Sequence, residues 1–211
     1  MAYLEFKNLK IDSDNIKIPN FTIKLNKQDF VVINNNNSYA AYLFNLITTK
    51  LKINDSVFII GDYNYISCNL NEYRKKVSIL SNEITLFENL SIINNITLAC
   101  KNDTYIKKYL NYFKLDKIKY KNIKDLTALE KQKVLAARLL AKDVDIYIIE
   151  DITNKSIKEK IINLIKEKNN KSIIIMLSND KNVLNKANKI IEFKNKKFAC
   201  KIKKNKGDKN E

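Results

Sequence analysis

Two acids side by side, Glu150 and Asp151, close the run Ile146-Tyr147-Ile148-Ile149. Consecutive apolar residues without polar alternation read as a strand covered on both faces. The carboxyl end of such a strand is where open α/β sheets place their sites. An acid pair there is a candidate for chemistry; the plainer role is a strand end that is solvated or paired with lysine, and the surrounding residue types favour it. The chain has no histidine, which removes the commonest general base and every Ser–His or Cys–His mechanism. It has only two glycines, Gly61 and Gly207, in 211 residues. Gly-rich phosphate loops need left-handed backbone and close approach to the ligand, and these two positions cannot build one. Cys68, Cys100 and Cys200 lack metal-ligand spacing, so no metal site is expected. They read as small buried side chains in a reducing compartment.

The elements around the acids follow from periodicity. Val134 to Ala141 is apolar except for Arg138, so this helix is expected to be mostly buried and Arg138 to have a partner. Phe30 to Ile33 reads as a buried strand and Ala40 to Ile47 as an apolar helix. Between them, Asn34-Asn35-Asn36-Asn37-Ser38-Tyr39 has the spacing of a P-loop, G-x-x-x-x-G-K-[ST]. Position by position, Asn34 and Tyr39 fall on the glycines, Ala40 on the lysine and Ala41 on the Ser/Thr. The phosphate-binding ammonium and the Mg²⁺-holding hydroxyl are both missing. Asn tolerates left-handed backbone, so the loop is expected to keep its shape without binding, beyond the weak pull of a helix N-terminus on anions.

Alternating strands are expected at Tyr3–Leu9, Phe21–Leu25 and Asp55–Asp62, the last with a turn at Gly61. A short basic helix over Asn71–Lys76 and a strand over Val77–Leu80 follow. Tyr105–Leu115 and Ile157–Lys168 read as amphipathic helices, Ser172–Leu177 as a buried strand, and Ala187–Phe193 with Lys197–Ile202 as a closing hairpin. From Lys203 the chain is charged and expected to fray.

The length of 211 residues, with 45% hydrophobic and 29% charged residues, fits one soluble domain. No apolar run is long enough to span a bilayer and no signal-peptide core is seen, so a cytoplasmic location is the expectation. The net charge of +16 is almost all lysine, with only Arg74 and Arg138 as arginines, and is spread along the chain. Compositional bias explains this better than a nucleic-acid interface, and an anionic membrane surface suits it at least as well.

Leu126-Thr127-Ala128-Leu129-Glu130 lies where the ATP-binding subunits of ABC transporters carry LSGGQ. Lys131-Gln132-Lys133-Val134 and Ala137-Arg138-Leu139-Leu140 follow as QQRV and ARAL would, and Ile146 to Thr153 stands where that family has a strand, an Asp-Glu pair, Pro and Thr. In the order and spacing of six segments, from about residue 3 to 202, the chain resembles this family. The resemblance implies an α/β fold with a P-loop-type, mainly parallel core sheet, an N-terminal antiparallel β layer and a small helical subdomain. Residues 1–82 and 141–202 would form the core, about 83–140 the helical subdomain, and 203–211 a charged tail.

The chemistry inside this frame departs from the family. Asn82 falls on the Gln that meets Mg²⁺ and water, and Asn179 on the switch His. Glu150 and Asp151 reverse the Asp-Glu order, leaving Asp151 one methylene short in the general-base place, a misplacement that can cost on the order of 10²-fold. Ile152 replaces Pro, Asn154 to Ile157 lacks the D-loop acid, and no aromatic stands near Ser13 to stack on adenine. In the signature, Thr127 keeps a hydroxyl, while Ala128 and Leu129 replace glycines and Leu129 would crowd a phosphate. Better kept is Glu83 to Ile96, which resembles the segment that packs on a membrane partner's coupling helix. Glu83, Leu86, Phe87, Glu88 and Leu90 are its candidate contacts, with Glu88 available to a basic helix. The plainer reading buries Leu86, Phe87, Leu90 and Ile96 in a lobe core.

The expectation is a degenerate, non-catalytic subunit that binds no cofactor, dimerises with itself or another ABC ATPase, and docks on a multi-span membrane protein at the cytoplasmic face. Its minimal length resembles small ATPases of the cell-division, lipoprotein-release and lipid-trafficking type. The alternatives are a divergent Mg-ATP-dependent ATPase, alone or beside an intact paralogue, and a basic nucleic-acid-binding protein.

Overall fold

The computed structural model describes residues 3–13, 16–49, 57–65, 70–81, 85–167 and 171–203. Its strands are β1 (Leu4–Ser13), β2 (Ile16–Leu25), β3 (Phe30–Asn34), β4 (Val57–Ile60), β5 (Tyr63–Tyr65), β6 (Val77–Leu80), β7 (Ile146–Glu150), β8 (Ile173–Ser178), β9 (Lys189–Lys194) and β10 (Lys197–Ile202). Its helices are α1 (Ser38–Ile47), α2 (Leu70–Lys76), α3 (Ile92–Thr97), α4 (Asp103–Tyr112), α5 (Ala128–Ala141), α6 (Lys155–Glu167) and α7 (Lys181–Lys186).

Two sheets carry the fold. The larger has the order β10-β9-β3-β8-β7-β6, parallel throughout except for β10, which pairs antiparallel with β9. The smaller, β2-β1-β4-β5, is antiparallel. The parallel strands are apolar on both faces because both are covered. Val31, Ile33, Ile146, Ile148 and Ile175 pack with α1 and the small sheet. Phe30, Val32, Tyr147, Ile149 and Met176 face α5, α6 and the helical lobe. In that lobe α3 and α4 pack on α5. The β1–β2 hairpin is longer than periodicity indicates, because its pairing continues to Ser13↔Ile16.

Turn chemistry departs from glycine. Gly61 takes a left-handed φ of 59° between β4 and β5, as expected, but the β9–β10 hairpin turns on Asn195 and Lys196 at φ 52° and 60°. Two successive positive φ values match the twist of a two-residue hairpin.

Three expectations need correction. Cys200 is exposed, because it lies on the outward side of the edge strand β10, and Cys100 is only half-buried; Cys68 lies outside the described residues. Lys203 is tied down, its backbone N–H donating to the Asn188 carbonyl (2.8 Å) and its Nζ to the Leu184 carbonyl (2.7 Å). The rest of the charged tail lies outside the described residues. The helix expected at Tyr105–Leu115 begins and ends earlier, since Asn102 caps it by accepting from the Thr104 and Tyr105 amides.

Candidate functional site

The β3–α1 loop has the position of a phosphate cradle and spends three of its own amide donors on the chain itself. The Asn35 amide donates to the Ser178 carbonyl (3.2 Å) and the Asn36 amide to the Asn34 carbonyl (2.9 Å). Asn37 is the N-cap of α1, and its side chain accepts from the Ala40 amide at 3.3 Å. None of residues 34–41 has a positive φ, so the left-handed shape expected of the asparagines is not adopted. Internal hydrogen bonds hold the loop instead.

The two positions that fall on glycines are anchored to β9. The Asn34 amide group donates to Glu192 Oε1 at 3.2 Å. Glu192 also pairs with Lys201 (2.7 Å) and Lys194 (2.9 Å), and these two ammonium groups, ahead of Asn34, hold its carboxyl down to about 2. Tyr39 stacks on Phe193 with ring centroids 4.0 Å apart and planes 19° from parallel. Phe193 in turn meets Phe198, and Phe198 meets Phe21. Ser38 is exposed, Ala41 is half-buried, and Ala40 is buried in the core under α1.

The acid pair diverges at the end of β7. Glu150 closes the strand, half-buried opposite Leu177. Asp151 Oδ1 lies 2.7 Å from Lys158 Nζ, and its Oδ2 accepts from the Ser178 hydroxyl at 2.8 Å. Lys158 is 7% exposed and reaches Asp180 as well, at 3.0 Å. Burial works against its charge, but the hydrogen bonds it donates to Asp151 and Asp180 outweigh burial and leave its pKa above the ordinary lysine value. Asp180 is held below the usual carboxylate range, first by Lys158 and then by the Asn182 amide. Both Asp151 oxygens are thus engaged by neighbouring side chains. Asn179, beside this cluster, is exposed, and Asn82 lies outside the described residues.

The Thr127–Glu130 stretch forms a capping box at the start of α5. Thr127 Oγ1 accepts from the Glu130 amide (3.3 Å), and Glu130 Oε2 accepts from both the amide and the hydroxyl of Thr127 at 2.8 Å. Those bonds, the backbone one first, lower the Glu130 carboxyl. The hydroxyl and acid are thus used within the helix end, while Ala128 and Leu129 are exposed, Leu129 by 46%.

The candidate partner segment lies over α5. Leu86 and Leu90 are half-buried and Ile96 fully buried, but Phe87 is 59% exposed, which corrects the core reading for Phe87. The reason is Asn95, itself buried: its Oδ1 accepts from the Phe87 amide (2.8 Å), and its Nδ2 donates to the carbonyls of Phe87 (3.1 Å) and Ser91 (3.0 Å). The turn is fixed by its backbone, so the ring is not needed to hold it. Glu88 pairs with Lys131 at 3.4 Å; Glu83 lies outside the described residues. Arg138 has the expected partner, donating from both terminal nitrogens to the Thr85 carbonyl at 3.2 and 3.3 Å. Phe87, Leu98, Leu135, Arg138 and Lys142 line a groove of about 450 Å³.

Lys158, Ser178, Asp180, Glu192 and Phe193 escaped sequence reasoning because their partners lie on other elements. The capping box was readable as T-x-x-E before an apolar run.

Comparison with known proteins places this geometry in context. No family model matches the chain. Over 167 residues it is 25% identical to the energy-coupling factor transporter ATP-binding protein EcfA1 of Mycoplasmopsis synoviae (strain 53), covering 73% of this chain and 63% of the relative. The chain thus spans less than two thirds of that relative's length. A solved nucleotide-free ATP-binding cassette from an ABC transporter superposes with a TM-score of 0.77 at 15% identity, covering 97% of this chain and 92% of the other. The ATP-binding subunit of an ABC transporter gives 0.79 at 16% identity, covering 95% and 90%. At such identities the solved structures establish the fold.

Proposed function

We infer that this chain, a member of the ATP-binding subunit family of ABC transporters, has kept the family's fold as a docking platform and lost the family's ATP chemistry. In this reading it is a non-catalytic subunit, paired with a second ATPase-fold subunit, on the cytoplasmic face of a multi-span membrane protein. The observation that carries it is the β3–α1 loop. Alanines stand in the places of the lysine and the Ser/Thr, Tyr39 is stacked on Phe193, and the Asn35, Asn36 and Ala40 amides bond within the chain. A phosphoryl-transfer site works by positioning and charge stabilisation, and in this loop no lysine supplies a cation and three of the amides are already bonded. Asp151, clamped by Lys158 and Ser178, fits the same reading. Among the described residues no helix is long and apolar enough to cross a membrane.

Phe87 gives the test. A helix in a groove is held by a few apolar anchors, and removing one costs about 2 kcal/mol or more. Phe87→Asp should weaken co-purification with the membrane partner encoded beside this chain, while an exposed ring on a backbone-fixed turn leaves the melting temperature nearly unchanged. A normally folded Phe87→Asp variant that captures its partner at full strength overturns the platform reading.

A further inference from the structure

A cavity of about 210 Å³ lies at the amino ends of β3 and β8, the opposite end of the sheet from the β3–α1 loop and Asp151. Phe30 and Ile174, neighbours in the parallel register and both buried, form its apolar floor. Lys166, in the last turn of α6, reaches over this floor with its Nζ 5.0 Å from the centre of the Phe30 ring. Among the described residues no carboxylate pairs with that ammonium. Asp29, next to Phe30, is turned to other partners: it accepts from Lys189 Nζ (2.6 Å), the Asn188 side-chain amide (2.9 Å) and the Asn26 backbone amide (2.6 Å). Burial first, and the Lys186 charge second, hold the Lys166 pKa below the ordinary lysine value, with no acid to offset them. The rest of the described lining is Gln28 and Ser172, an amide and a hydroxyl. Gln28 is held at a left-handed φ of 72° in the turn that the Asp29 amide closes on the Asn26 carbonyl (3.2 Å), so its backbone is set before anything binds. Hydrogen-bond donors and one positive charge thus stand over an apolar floor, and no acid is among the described lining residues.

We propose that this cavity binds a small organic carboxylate with a flat apolar body, the carboxylate meeting the Lys166 ammonium and the Gln28 amide while the body lies on Phe30 and Ile174. Volume sets the size class. An apolar cavity of about 150 Å³ takes benzene, so about 210 Å³ accommodates one ring with its carboxylate. Inorganic phosphate would satisfy the donors and leave the apolar floor in contact with water. The site stands independently of the platform reading, since it shares no lining residue with the groove over α5.

Benzoate is the probe, and trace acetylation of the full chain read by peptide mass spectrometry is the test. Saturating benzoate should slow acetylation of Lys166 about fivefold or more, with half-protection on the order of 1 mM. The exposed Lys107 on α4 should react at an unchanged rate. Acetate and inorganic phosphate, which lack the ring, should need roughly tenfold higher concentrations or more. In calorimetry Lys166→Met should weaken benzoate binding roughly tenfold, as loss of a charge-assisted hydrogen bond does, while melting with the wild type. Lys166→Arg, which keeps the charge, should recover most of the affinity. Lys166 reactivity that millimolar benzoate leaves unchanged, acetate as effective as benzoate, or a Lys166→Met variant that binds benzoate like the wild type overturns the proposal.

Discussion

Replacing Lys158 by Met removes one ammonium from between two carboxylates and keeps the length of the side chain. In the wild type the Nζ lies 2.7 Å from Asp151 and 3.0 Å from Asp180, with Lys158 7% exposed and the acids 31% and 19% exposed. Breaking a fully buried pair by deleting one partner costs about 3–5 kcal/mol. Partial exposure of the acids, and the bonds they keep to Ser178 and the Asn182 amide, reduce this to about 2–3 kcal/mol at neutral pH. At about 2–4 °C per kcal/mol for a domain of this size, the melting temperature should fall by roughly 4–12 °C. The pH dependence carries the sign. Asp180 has a depressed folded pKa, so its contribution is present above the ordinary carboxylate range and is lost as pH falls through the folded value. In Lys158→Met, acid instead relieves the repulsion between Asp151 and Asp180, so the deficit against wild type should be large at pH 7 and shrink toward pH 4. Scanning calorimetry at the two pH values, with Asp151→Asn added to recover stability at pH 7, provides the assay. A variant as stable as wild type at pH 7, or a deficit that grows on acidification, would refute the clamp.

Asp29 and Lys189 form a second buried pair, 2.6 Å apart with side chains 7% and 11% exposed, joined to Asn188 at the start of β3. Asp29→Ala strands the lysine and should cost about 3–5 kcal/mol, a fall of roughly 6–20 °C by thermal melt; a change below about 2 °C would contradict it. Restoring Ala40→Lys with Ala41→Ser should leave phosphate release at background, because Tyr39 remains stacked on Phe193 and Asp151 remains clamped. Turnover in that double variant, abolished by a further Asp151→Asn, would reveal a latent site.

Local pattern explains what could be read in advance. The apolar run Ile146–Ile149 and the apolar residues around Arg138 state burial directly, since that pattern is local; that the partner Arg138 needs is the Thr85 carbonyl, on a distant stretch, is not local. The P-loop spacing revealed what Ala40 and Ala41 lack, but not where Tyr39 goes, because its ring meets a strand more than a hundred residues later. The Lys-paired alternative for Asp151 was legible as a type of solution; that Lys158 supplies the ammonium depends on how α6 returns across β7 and β8. Phe87 had two readings, partner contact and lobe core, and the sequence could not choose between them. An apolar residue in an apolar segment reads as core, but the buried side chain of Asn95 holds the turn by its backbone and leaves the ring outside.

Calorimetric titration of the purified full chain with millimolar Mg-ATP addresses the loss of ATP chemistry most directly. Asn34 tethered to Glu192, Tyr39 stacked on Phe193, and alanines at positions 40 and 41 predict no binding heat above dilution and no thermal shift. A one-site isotherm with a micromolar Kd would contradict that account.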